Sequence, residues 1–104
     1  MELKRVVVTG LGAVTPLGLN VDETWEALLN GVSGAGPITH FDASQFKTQF
    51  ACEVKNFDPT LYLDKKEVRK FDRYAQFAVA AAKEAVGDSA LDLEKVDKNR
   101  VGVI

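Results

Sequence analysis

The stretch 64–86, DKKEVRKFDRYAQFAVAAAKEAV, constrains the fold most, because it has the features of one long helix. It contains no Pro or Gly and is rich in Ala, which favours helix. Asp64 and Glu67 form an Asp-x-x-Glu pattern close to a capping box, and Gly87 follows as a C′ residue. The sequence therefore predicts a helix over 64–86. Residues 77–82, apolar on every side, are predicted to run through the interior or into a subunit interface.

Five cations share one face of this predicted helix, within an arc of roughly 140°. They are Lys65, Lys66, Arg69, Lys70 and Arg73. Near a helix start the macrodipole is positive, so a cation there costs about 0.3–1 kcal/mol. One interpretation is an ordinary solvated face with Asp64, Glu67 and Asp72 as partial counterions. The other is a docking site for an anionic partner, and the unfavourable placement of the charge supports it.

Composition excludes several classes of protein. A net charge of −2 argues against a general nucleic-acid binder, so any basic function is local. No run of 18 apolar residues is present, and residues 6–8 are too short for a signal-peptide core, so the sequence predicts a cytoplasmic protein without a membrane span. One Cys and one His give no internal disulfide and no metal-site spacing. We therefore expect no metal and no cofactor.

The order of the elements is typical of a layered α/β fold. Residues 4–9, KRVVVT, and 100–104, RVGVI, predict buried strands, and the alternating segment 46–54 predicts another, with Cys52 on its buried side. A short amphipathic helix is predicted between the strands at 4–9 and 46–54, with Trp25 facing the core. Its apolar positions are Val21, Trp25, Leu28 and Leu29. These strands are too few to complete such a fold.

Candidates for chemistry are few. The glycines of 10–12 follow a strand, as in dinucleotide-binding folds, but Thr15 stands where the last glycine of GxGxxG is required and Pro16 removes a backbone donor. The sequence therefore predicts a structural loop there. His40, in a loop, is predicted to be a structural hydrogen-bonding residue. Cys52 lacks an electropositive setting and is predicted to fill the core rather than act as a nucleophile.

Four stretches carry a resemblance to a known family. They are KRVVVTGLGAVTPLG, WEALLNGVSGAGPITHFDAS, FACEVKNFDP and YLDKKEVRKFDRYAQFAVAAAKEA. They resemble the N-terminal part of the type II β-ketoacyl-acyl-carrier-protein synthases, the elongating condensing enzymes of bacterial fatty acid synthesis. The resemblance implies that residues 1–104 are an incomplete N-terminal domain, part of the N-terminal half of a thiolase-like five-layered αβαβα fold. It also implies a homodimer in the full-length form.

The resemblance further implies a decarboxylative Claisen condensation, in which a cysteine holds the acyl chain as a thioester and two histidines assist. No position of this chain matches those catalytic residues, so we expect the 104-residue chain alone to be an inactive fragment. We also expect that it does not fold by itself, because the all-apolar part of its long helix and its end within a strand leave too much apolar surface uncovered. A non-catalytic partner subunit, like the chain-length factors, is the alternative. The family pattern also places a dock for the acidic acyl carrier protein at Lys66, Arg69 and Lys70, with Lys65 adjacent.

Overall fold

The computed structural model describes residues 1–104. Its helices are α1 (Val21–Leu29), α2 (Lys65–Lys70) and α3 (Arg73–Ser89), its strands are β1 (Ala35–Pro37) and β2 (Phe50–Cys52), and 3₁₀ turns lie at Pro59–Leu61 and Lys98–Arg100. The two strands form an antiparallel pair in which Ala35 lies opposite Cys52. None of the helices combines the length and the apolar character needed to cross a bilayer. The layered α/β arrangement is therefore present only in part.

The buried core is small. Only four residues are buried, Ala43, Phe57, Gln76 and Ala80. The radius of gyration is 17.6 Å, whereas a compact domain of this length has one of about 13 Å. Large apolar side chains lie on the surface as a result. The predicted inward packing of Trp25 is wrong, since 60% of this residue is exposed and no element covers the apolar side of α1.

The predicted single helix over 64–86 is wrong, because two helices meet at an extended break at Phe71 and Asp72. The start of α2 is as predicted, with the Asp64 carboxylate accepting a hydrogen bond from the Glu67 N–H at 2.9 Å. The break has an identifiable cause. The Gln76 side chain donates to the carbonyls of Val68 and Phe71, both at 3.1 Å. In a continuous helix those carbonyls would accept from backbone N–H groups four residues on.

The far end of α3 also differs from expectation. Gly87 is not the C′ residue but lies inside the helix, which continues to Ser89 and ends at Ala90 in the left-handed conformation (φ 54°). A tertiary contact stabilises this extra turn, because the Asp88 carboxylate accepts a hydrogen bond from the Leu11 N–H at 3.0 Å. The only glycine with positive φ is Gly31 (φ 66°), which directly follows the C-cap residue Asn30 of α1.

Gly87→Ala is therefore expected to stabilise α3 by about 0.5–1 kcal/mol, because Ala is the better helix former. A Cβ at Gly87 would meet no atom within 4 Å. The measurement is slower amide hydrogen exchange across α3 in the full-length protein. Gly31→Ala is the matched contrast. A Cβ at Gly31 also has open space, but the left-handed backbone conformation of this residue disfavours alanine. Amide hydrogen exchange at the end of α1 should therefore become faster. Faster exchange in α3 of Gly87→Ala would contradict the assignment.

The predicted terminal strands are wrong. Residues 4–9 and 100–104 form no strand, and Val6 is 91% exposed. Residues 4–9 and 102–104 make no backbone–backbone hydrogen bond, while Arg100 and Val101 donate only within the 3₁₀ turn. A strand requires a neighbouring strand to satisfy its N–H and C=O groups, and residues 1–104 provide none beside either segment.

The third predicted strand is present but shorter, at Phe50–Cys52 instead of 46–54. It pairs with Ala35–Pro37, for which no strand was predicted. The predicted burial is also reversed, since Phe50 is 65% exposed and Cys52 is exposed. The partner strand contributes only Ala, Gly and Pro, so no large side chain covers that face.

The N-terminal glycine loop packs closely on α3. A Cβ on Gly12 would lie 1.8 Å from the carbonyl oxygen of Ala81. The two Glu84 carboxylate oxygens accept from the Ala13 N–H at 2.9 Å and the Val21 N–H at 3.1 Å. Amides of this loop therefore already donate to carboxylates, as expected of a structural loop and not of a phosphate cradle.

Candidate functional site

The four predicted site residues lie together on α2, and we call them the basic face: Lys65, Lys66, Arg69 and Lys70. All four are exposed. The three ion pairs of the chain lie elsewhere, at His40–Glu53, Lys95–Asp92 and Lys98–Glu94. None of the four side chains of the basic face therefore forms an ion pair within residues 1–104.

The counterion interpretation gains no support from the acidic residues nearby. Asp64 accepts the capping hydrogen bond from Glu67, and neither of these residues forms an ion pair with the basic face. Asp72 forms no ion pair and makes no capping hydrogen bond to α3. The unfavourable charge at the start of α2 is thus not compensated within the chain.

Arg73, the fifth predicted cation, is engaged differently. Its guanidinium carbon lies 5.4 Å from the ring centroid of Phe57 and 5.8 Å from that of Phe77, within the range of a cation–π contact. Its Nη1 donates to the Gln76 Oε1 at 3.4 Å. The break at Phe71 and Asp72 places Arg73 in a second helix, so the prediction that all five cations share one helix face is wrong.

An aromatic cluster supports the segment that leads into α2. Phe57 is buried and stacks on Tyr62 at 5.8 Å, and it contacts Phe77 of α3 edge-on at 4.9 Å. The Lys83 ammonium donates to the backbone carbonyl of Tyr62. These contacts pack α3 against the residues just before α2. They therefore support the helix that carries the basic face.

The turn between this cluster and α2 depends on the ionised form of Asp58. Its carboxylate accepts from the Thr60 hydroxyl at 2.6 Å and from the Thr60 N–H at 2.9 Å. These two hydrogen bonds, the hydroxyl first, hold the pKa of Asp58 below its usual value. Since the folded pKa is the lower one, this stabilisation is present above the unfolded pKa and is lost as the pH falls through the folded pKa.

Neither His40 nor Cys52 belongs to a catalytic arrangement of side chains. The His40 Nε2 lies 3.7 Å from the Glu53 carboxylate, which also accepts from the Thr39 hydroxyl at 2.7 Å. That hydroxyl is the main cause of the lowered pKa of Glu53. The His40 side chain makes no hydrogen bond at this distance, so its predicted hydrogen-bonding role stays a prediction. The predicted burial of Cys52 is wrong. No cluster of His, Cys, Asp and Glu side chains suited to a metal is present.

Lys55 has a structural role that was not predicted from the sequence. Its ammonium donates to three backbone carbonyls, those of Pro16 at 3.2 Å, Gly34 at 3.0 Å and Glu53 at 3.0 Å. It therefore joins the N-terminal loop to both strands. No sequence signal identifies such a residue, because its partners lie up to 39 positions away.

Comparison with known proteins defines the class of protein. The family model for the beta-ketoacyl synthase N-terminal domain matches residues 3–104, and the chain belongs to this family. The 3-oxoacyl-[acyl-carrier-protein] synthase 2 of Coxiella burnetii is 54% identical over 99% of this chain and 25% of that protein. The protein of the same name from Synechocystis is 46% identical over 100% of this chain and 25% of its own length. The chain thus spans about a quarter of these curated relatives.

Two solved structures are similar as well. The ishigamide ketosynthase/chain length factor matches with a TM-score of 0.77 and 39% identity over 86% of this chain and 22% of its own. A type II PKS acyl-carrier protein in complex with its ketosynthase matches with a TM-score of 0.67 and 26% identity over 94% of this chain and 24% of its own. The family match and these neighbours support a thiolase-like ketosynthase fold, of which residues 1–104 are a small part.

Proposed function

We propose that the chain is the N-terminal part of a type II 3-oxoacyl-acyl-carrier-protein synthase that elongates acyl chains in fatty acid synthesis. The observation that carries this proposal is the family match over residues 3–104 together with identities of 46–54% to the named relatives. In this proposal the chain supplies the first elements of the N-terminal half of a five-layered αβαβα fold, within a cytoplasmic homodimer.

The proposed reaction has two stages. In the first, a cysteine thiolate attacks the acyl-carrier thioester, the acyl–enzyme thioester forms, and the carrier thiol leaves. In the second, malonyl-carrier protein loses CO₂, its carbanion attacks the acyl–enzyme carbonyl, and the cysteine thiolate leaves as β-ketoacyl-carrier protein forms. Two histidines assist decarboxylation and stabilise the charge on the thioester oxygens. These three catalytic residues belong to the remainder of the protein, and neither Cys52 nor His40 takes any of their roles.

The part of this chain in the reaction is to bind the carrier. Four exposed cations without internal counterions fit the carboxylates of a small acidic protein. Exposed ion pairs contribute only about 0.2–1 kcal/mol each, so they steer encounter and allow release after each turnover. One structural neighbour is a ketosynthase bound to its acyl-carrier protein, which supports the class of partner.

The proposal is tested with the purified full-length protein, acyl-carrier protein charged with a short acyl chain, and malonyl-carrier protein. CO₂ and β-ketoacyl-carrier protein should appear in equal amounts. Residues 1–104 alone should give neither product.

A chain-length-factor-like subunit is the second candidate, because one similar structure is named a ketosynthase/chain length factor. Such a subunit would give no product alone and would support condensation only when mixed with a separate ketosynthase. That result would replace the first proposal with the second.

A further inference from the structure

Gln76 is the one polar residue among the four buried ones, at 6% exposed. It lies in the first turn of α3 and reaches back to the preceding helix. Its Nε2 donates to the Val68 carbonyl of α2 and to the carbonyl of Phe71, the C-cap residue, at 3.1 Å each. A buried side chain that satisfies carbonyls at the end of another helix fixes the two helices relative to each other.

The chemistry of this position fits glutamine in particular. Two backbone carbonyls can only accept, and the Arg73 guanidinium, 3.4 Å from the Gln76 Oε1, can only donate. The amide meets both demands at once, with its nitrogen toward the carbonyls and its oxygen toward Arg73. Glutamate would present acceptor oxygens to both carbonyls, and methionine would offer no donor.

The basic face depends on this contact because α2 is short. A helix of six residues is not stable without tertiary support. Its N-terminus is capped by Asp64, but no side chain other than Gln76 donates to its C-terminal carbonyls. The charges of the basic face also repel one another along α2. The Gln76 amide therefore holds a short helix with four like charges in place.

We infer that Gln76 is a positioning residue for carrier binding, which orders the basic face without touching the carrier. This inference rests on the proposed docking function. It predicts that loss of the amide disorders α2 and weakens carrier binding, while the rate of the chemical step is retained.

The test compares Gln76→Met in the full-length protein with Gln49→Met as the matched control. Gln49 also donates from Nε2 to two carbonyls, those of Ser44 and Phe46, but in an exposed loop before β2. Gln76→Met should raise the rate of tryptic cleavage within 65–70 and the KM for carrier-bound substrate about fivefold each, with kcat within about twofold. Gln49→Met should change neither. If Gln76→Met does not fold, the isosteric Gln76→Glu takes its place.

A double-mutant cycle separates positioning from a general structural effect. In the Gln76→Met background, Lys66→Glu with Arg69→Glu should raise the KM by a smaller factor than in the parent protein, because a disordered α2 already presents its charges poorly. Equal factors in the two backgrounds would overturn the inference, as would an unchanged tryptic cleavage rate. If the charge reversal raises the KM but Gln76→Met does not, docking stands and positioning fails. If neither changes the KM, the docking function fails, and the inference with it.

Discussion

Lys66→Glu with Arg69→Glu is expected to raise the KM of the full-length enzyme for carrier-bound substrate about 30-fold or more at low salt, a loss of about 2 kcal/mol of binding free energy. Each reversal removes an attraction of about 0.2–1 kcal/mol and adds a repulsion of similar size. Because the two side chains are exposed and form no internal ion pair, the fold should be nearly unaffected. The measurement is steady-state kinetics over a range of carrier concentrations, with kcat expected within about twofold.

The salt dependence of the KM provides a second test of this prediction. The KM of the parent protein should rise with ionic strength, because salt screens exposed charges, and the variant should show a smaller rise. The control is Lys95→Glu with Lys98→Glu, which changes the net charge by the same amount on side chains that are 83% and 67% exposed. An equal rise in KM from both pairs would show a general charge effect and contradict a defined docking surface.

Gly12→Ala is expected to lower the melting temperature of the full-length protein by several degrees and to reduce its soluble yield. A methyl group there would lie 1.8 Å from the Ala81 carbonyl oxygen, a backbone atom of α3 that cannot rotate away. The loop would have to move, which would pull the Ala13 N–H from the Glu84 carboxylate. We estimate the cost at about 3 kcal/mol from overpacking alone.

Gly36→Ala is the matched control for this substitution, since its Cβ would meet no atom within 4 Å. It introduces the same methyl group and should leave the melting temperature nearly unchanged. Equal melting temperatures for the two variants would show that the glycine loop does not rest on α3 as described.

Features that depend on neighbouring residues could be predicted from the sequence. The Asp64 cap and the short helix α1 follow from local hydrogen bonding and from the spacing of apolar residues. The basic face was identified for the same reason at Lys65 and Lys66, whose charges oppose the dipole at the start of α2. Arg69 and Lys70 lie in the last turn of this short helix, where the dipole favours cations.

Features that depend on distant groups could not be predicted. The break before α3 requires Gln76 to reach back eight positions to Val68, and periodicity contains no sign of such a contact. The same holds for the three carbonyls bound by Lys55. The predicted burial of Trp25 and Cys52 is wrong. An apolar pattern shows which side of an element prefers to be buried, but burial itself requires another element to cover that side.

The central claim, that the basic face binds an acidic carrier, is tested most directly by zero-length carbodiimide cross-linking of the full-length protein to the carrier, followed by mass spectrometry. This reagent joins an ammonium to a carboxylate only when the two are in contact. The account predicts cross-links at Lys65, Lys66 or Lys70 that disappear at high salt. Cross-links confined to other lysines, such as Lys47, Lys95 or Lys98, would contradict it.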